Sequence, residues 1–216
     1  MNISKETLAY LKSFAQINPS IWVNSGSTLR TMSTNKTIVA SAKVPEEFPI
    51  DFGIYDLNTF LSVISLMEQP EFEFSPNHVE ISAGKTKVQY RYVSKKVIVT
   101  PPEKELTIPD EALAFLLTNE DMQRVMRAAK VMSLPNIVVD TRNNELFLVA
   151  TDDSNNDSNE YRIVVGETSP DEQSFTFREE NLKLIEGDYE VIISSKGIAQ
   201  FTGKSQDVTY FIATES

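Results

Sequence analysis

Apolar residues recur along the chain in two periods, one helical and one of strict alternation. Residues 4–17 follow the first: Leu8, Leu11, Phe14 and Ala15 share one helical face, and Ser4 is placed to cap it. Lys5, Lys12 and Gln16 share another face. Short strands are expected at 21–24, 28–32, 36–43 and 50–54, with Ser25-Gly26 as a turn. Residues 56–67, DLNTFLSVISLM, return to helical spacing through Leu57, Phe60, Leu61 and Ile64, with Asp56 as the cap. Segments 71–75, 78–82 and 85–93 alternate apolar with polar and predict three strands.

The pattern breaks at 94–111, SKKVIVTPPEKELTIPDE, which holds three prolines and no period. Pro101-Pro102 favours an extended, semi-rigid chain, so this segment is expected to connect two modules, 1–93 and 112–216. Beyond it a strand is expected at 112–117. Thr118 then caps a helix over 119–132, with Asp121 at the capping-box position and Met122, Val125, Met126 and Ala129 as the apolar stripe. Strands follow at 136–142, 145–151, 160–166 and 174–178, then a short helix at 179–185, then strands at 188–194, 198–202 and 207–214. Each half repeats one order: helix, strands, second helix, three strands. An internal duplication of α+β type follows from that order.

Composition changes this picture in two respects. Of 216 residues, 41% are hydrophobic, enough for a packed core, and cysteine is absent, which removes disulfides, zinc ribbons and thiol nucleophiles. No apolar run reaches membrane-span length and no signal core is present, so a soluble intracellular protein is expected. The formal net charge is −11. Taken as a sum it argues against nucleic acid, but binding depends on where the cations sit. Arg124, Arg127 and Lys130 follow i, i+3, i+6 opposite much of an apolar stripe. Lys183 falls on the last predicted helix. In the run 84–96, Lys85, Lys87, Gln89 and Arg91 alternate with Val88, Tyr90 and Tyr92; basic residues interleaved with aromatics can suggest single-strand binding, but strict alternation more simply means a half-buried strand with a charged edge.

Chemistry is sparse. His78 stands alone at a turn-to-strand junction, a poor start for a metal site. DDSNNDSNE (152–160) has the opening spacing of a calcium loop at Asp153, Asn155 and Asp157, but Ser158 stands where glycine is needed and Val164 where glutamate is. A solvated hairpin tip is the better reading. Adjacent carboxylates such as Glu46-Glu47 diverge on a strand, and no phosphate-binding or nucleophile motif occurs. No enzyme, metal or cofactor is expected.

IYDLNTFLSVISL (54–66) resembles the sliding clamps of T-even-type phages. So does the opening stretch, through Thr7, Leu11, Lys12, Phe14, Ala15, Ile17 and Asn18 followed by Ser25-Gly26, with weaker colinear support from Gly187-Asp188-Tyr189 and Lys196-Gly197. The resemblance implies a DNA-clamp fold: two similar modules of antiparallel sheets with two helices each, three chains closing a ring, helices lining the hole. It implies a factor that encircles duplex DNA without reading sequence, tethers the replicative polymerase and serves other replication or transcription partners. It also implies loading by an ATP-driven clamp loader and capture of a polymerase C-terminal peptide, in the cytoplasm of an infected host cell.

On that basis the DNA-facing residues are Lys5, Lys12, Gln16, Arg124, Arg127, Lys130 and Lys183. A partner-peptide pocket is expected beside the connector, drawing on Val97, Ile98, Val99, Leu106, Ile108, Phe211 and Ile212. Strands 86–93 and 160–166 are the candidates for closing the ring. The chain departs from the family in its polar 152–160 hairpin and its charged Glu103-Lys104-Glu105. The rival readings are an acidic viral structural or assembly protein, a DNA-mimic inhibitor and a hydrolase with an unrecognised site.

Overall fold

A computed structural model describes residues 1–155, 157–168 and 172–215. The chain divides into two compact units, 1–105 and 106–216, so the break falls inside the proline-rich segment.

The first unit opens with α1 (Lys5–Ile17), whose N-cap Ser4 accepts from the Thr7 amide at 3.1 Å. Thr7, Tyr10, Leu11, Phe14, Ala15 and Ile17 are buried, so the helix packs through a wider face than Leu8, Leu11, Phe14 and Ala15 suggested. β1 (Ile21–Val23) pairs with β4 (Phe52–Ile54), and β2 (Gly26–Met32) with β3 (Ile38–Phe48), all antiparallel. β3 runs to Phe48 despite Pro45 because the β2–β3 register slips between Gly26 and Thr28, skipping the proline. The Glu46 carboxylate accepts from the Ser4 amide and the Thr7 hydroxyl, tying β3 to the start of α1.

α2 (Leu57–Ser65) is capped by Asp56, which accepts from the Thr59 amide at 2.9 Å. β5 (Glu71–Ser75), β6 (His78–Ala83) and β7 (Thr86–Arg91) form an antiparallel sheet in that order, leaving β7 at one edge. β5 carries an antiparallel bridge to Asn2 on its other side. The expected connector begins with a 3-10 turn, Lys95–Val97. Buried Asn18 anchors the chain just past this turn, its Nδ2 donating to Met32 O at 2.8 Å and Val99 O at 3.3 Å.

Among its described residues the second unit has one α-helix, α3 (Asn119–Met132), at the predicted limits. It follows β8 (Glu111–Leu117) and packs on β9 (Asn136–Arg142), β10 (Glu145–Thr151) and β11 (Tyr161–Glu167). With β12 (Gln173–Arg178) these form a sheet ordered β11-β10-β9-β12, with β11 at one edge and a bridge from Thr176 of β12 to Glu215 at the other. β13 (Tyr189–Ser194), β14 (Ile198–Gly203) and β15 (Val208–Ala213) run antiparallel beside β8 in the order β15-β14-β13-β8.

The helix expected at 179–185 is absent. One 3-10 turn, Glu179–Asn181, takes its place, and Lys183 lies beyond it in irregular chain. The cause is competition for backbone partners: Ile185 N–H donates to the Tyr210 hydroxyl at 3.2 Å, and Ile185 C=O accepts from the Tyr189 hydroxyl. Both tyrosines are core residues, so their hydroxyls need partners and fix this strip in non-helical form. Among its described residues the second unit therefore carries one α-helix where two were expected.

Candidate nucleic-acid interface

α1 and α3 present the same arrangement in their own units. Each buries one stripe on its sheets and leaves cations on the solvent side. On α1, Lys5, Lys12 and Gln16 are exposed. On α3, Arg124, Arg127 and Lys130 are exposed around buried Val125 and Ala129. Arg124 lies 3.9 Å from Asp121 and Lys130 4.0 Å from Glu179, long contacts from exposed cations to half-buried carboxylates that hold the cations weakly. Arg127 has no carboxylate within ion-pair distance among the described residues. Lys183 is exposed, but not on a helix.

The solvent side of α2 was not anticipated as part of a site, since it carries no charge. It exposes Asn58, Thr59, Ser62 and Ser65. Ser62 donates to Asn58 O at 2.8 Å and Ser65 to Ser62 O at 2.7 Å, folding their hydroxyls onto the helix backbone. This makes a neutral surface on which the Ser62 and Ser65 hydroxyls are turned back to the backbone. The helical period showed the exposed side; nothing in the residue types marked it.

The expected peptide-pocket residues divide. Val97 is exposed, and Val99, Leu106, Ile108 and Phe211 are half-buried. Ile98 and Ile212 are core residues instead, 7% and 0% exposed. Ile98 is turned inward against β4 at Gly53, and Ile212 takes the inward phase of the alternation along β15. These two are corrections to the pocket. Strand alternation puts Phe211 on the opposite face from Ile212.

In the expected hairpin at 152–160, of which 156 lies outside the described residues, Asp152 and Asn155 serve local turns. Asp152 accepts from the Ser154 amide at 3.0 Å, and Asn155 from the Asp157 amide at 3.1 Å. No cluster of three or more metal-ligating side chains occurs among the described residues. His78 is half-buried at the head of β6, opposite Ser75 and Arg91. No helix is long and apolar enough to cross a membrane among the described residues.

Comparison with known proteins decides what these helices belong to. A family model described as "DNA polymerase processivity factor" matches residues 4–100, and one described as "gp45 sliding clamp, C terminal" matches 114–216. The sliding clamp of Vibrio phage KVP40 is 35% identical, with the whole of both chains covered. The chain belongs to the sliding-clamp family of T4-like phages. The sliding clamps of Escherichia phage RB69 and Enterobacteria phage T4 are 27% and 26% identical over all of this chain and 97% of theirs. This clamp is a DNA polymerase processivity factor, and the rival reading of a viral structural protein is not favoured.

Solved structures show the same fold at low identity. PCNA from Thermococcus kodakaraensis superposes with a TM-score of 0.71 at 16% identity, covering 98% of this chain and 96% of that one. The A. fulgidus PCNA structure described as bound to the C-terminal region of FEN-1 gives 0.70 at 12%, covering 97% and 94%. A DnaN clamp from Pseudomonas aeruginosa gives 0.69 at 11%, with 97% of this chain matching 62% of that chain.

Proposed function

We propose that three copies of this clamp close around duplex DNA, with α1 and α3 facing the phosphates and the polymerase held by its C-terminal peptide. The observation that carries this reading is the recurrence of one design in both units: an amphipathic helix whose solvent side is cationic in a chain of net charge −11. Lys5, Lys12, Gln16, Arg124, Arg127, Lys130 and Lys183 are the proposed DNA-facing residues. Their contacts position the ring without reading bases, because phosphates carry no sequence information. Long, exposed, loosely paired side chains exchange phosphates easily, which suits sliding.

The ring closes, in this reading, through the edges of β7 and β11. Both lie at the margin of a sheet, while the opposite margins at β5 and β12 are bridged by Asn2 and Glu215. An ATP-driven loader opens it, the protein has no catalytic role of its own, and it acts in the cytoplasm of the infected host. The C-terminal region of FEN-1 bound to a PCNA of the same fold supports peptide capture here, and the apolar candidates for it are Val97 and Val99 in the first unit and Leu106, Ile108 and Phe211 in the second. Leu106→Asp with Ile108→Asp should then weaken a polymerase tail peptide; equal affinity would remove the connector from the site.

The deciding experiment loads the clamp on circular DNA and then cuts the circle. A topological binder is retained on the circle and runs off the ends once it is linear. Equal retention on both would defeat the encircling reading.

A further inference from the structure

We propose that the surface around Trp22 is a docking site for single-stranded DNA, in which one base stacks on the indole while Arg30 and Lys95 hold the flanking phosphates. This site lies in the first unit and uses none of the helix residues assigned to the duplex.

The indole is built into place. Trp22 faces Gly53 in the β1–β4 register. A Cβ at position 53 would stand 3.0 Å from Trp22 Cε3 and 2.7 Å from Val93 O, so the missing side chain is what lets the ring settle against β4. The indole N–H donates to Asn24 Oδ1 at 3.1 Å, which fixes the orientation of the ring. Two hollows meet at Trp22. One, of about 270 Å³, also has Arg30, Lys95, Thr100 and Glu103 in its wall. The other, of about 430 Å³, has Asn77 and Arg91.

The charges around the ring are unspent. Arg30 and Lys95 have no carboxylate within ion-pair distance among the described residues; Arg91, on β7, is left to the ring joint. Asp51, in the second hollow, is engaged by the Ser25 amide at 2.7 Å. Lys95 Nζ stands over the indole at 5.8 Å from its centroid, near the outer limit of a cation–π contact. A base arriving on that face displaces an ammonium on a flexible stem, which then turns to a phosphate. Every base has a π-face, so such a platform is sequence-tolerant, and the flanking cations make it salt-sensitive. An acidic peptide would satisfy the cations but leave the ring unused, unless it carried an aromatic of its own. Glu103 is the one opposing charge on the rim of the first hollow, and it weakens the site.

Trp22 is the sole tryptophan, so intrinsic fluorescence reports on this site alone. Titrating the intact protein with oligothymidylate at low salt should quench that fluorescence saturably, with affinity falling as salt rises. Lys95→Glu with Arg30→Glu should weaken binding tenfold or more, and Glu103→Gln should tighten it. Quenching lost in Arg124→Glu with Arg127→Glu but kept in the Lys95/Arg30 variant would put the strand against the helices and overturn the proposal. So would no saturable quenching, or quenching by oligoglutamate and not by oligothymidylate, which would make the ligand an acidic peptide. Run-off from cut circles tests the ring separately, so either reading can fail without the other.

Discussion

Glu46 joins two stretches of chain that sequence distance keeps apart. Its carboxylate accepts from the Ser4 amide and the Thr7 hydroxyl, next to the positive end of α1. Burial pushes its pKa up, but the hydrogen bonds from Thr7 and Ser4 outweigh burial and hold it below the ordinary 4.5. A depressed folded-state value means the contribution is complete above the unfolded value and is lost as pH falls through the folded one. Glu46→Gln should cost about 1–2 kcal/mol at neutral pH, read by urea unfolding, since bonds to a charged acceptor are worth about 1.5–3 kcal/mol and this one is half-exposed. The loss should shrink on acidification below 4.5; a deficit constant down to pH 3 would remove the carboxylate from the account. At Gly53, alanine meets Val93 O at 2.7 Å and Ile98 Cδ1 at 2.9 Å. Forced overpacking of this kind typically costs about 1–3 kcal/mol, so Gly53→Ala should unfold earlier in denaturant and shift the Trp22 emission.

Among the elements, α3 shows how local signals and packing agree. Thr118 accepts from the Asp121 amide at 3.1 Å and donates to its carboxylate at 2.6 Å. Thr118→Ala should cost about 1 kcal/mol, measurable as a drop in unfolding midpoint. Charge reversal at Arg124 and Arg127 should leave the circular dichroism of the helix unchanged and cut clamp-stimulated synthesis; undiminished stimulation would take α3 off the DNA. This helix was legible because cap, period and charge stripe coincide in one run of residues. The segment at 179–185 had a helical run too, but its backbone is claimed by Tyr189 and Tyr210, partners 4 and 25 residues away that no local pattern reveals. The same limit hid Ile98 and Ile212: their residue type marked them as apolar, and only tertiary placement tells an apolar surface from a core. Trp22 stood in the open as the one tryptophan, yet its meaning depends on Gly53, 31 positions later in the chain.

For the whole molecule, charge is divided unevenly. Residues 1–105 hold 11 Lys and Arg against 11 Asp and Glu, while 106–216 hold 9 against 20, so the net −11 belongs to the second unit. Contacts that bring two second units together are penalised by repulsion, and contacts that alternate first with second units are not. A head-to-tail ring satisfies that condition. If the proposed ring of three forms, its mass should be about 73 kDa, three times 24.3 kDa, and it should persist at low salt. Val164 is 54% exposed on marginal β11. If β11 is the closing edge, Val164→Asp should shift the species towards 24.3 kDa in light scattering without changing the fold; an intact trimer would move the joint elsewhere.

The seat of the indole ties two positions on neighbouring strands to each other. Room at 53 serves the indole at 22, 3.0 Å from an added Cβ, and also the Val93 carbonyl and the Ile98 methyl, at 2.7 and 2.9 Å. A relative that acquires a methyl group or more at 53 should have shifted the carbonyl at 93 as well as the ring at 22, and would give up with that shift the seat on which a base could stack.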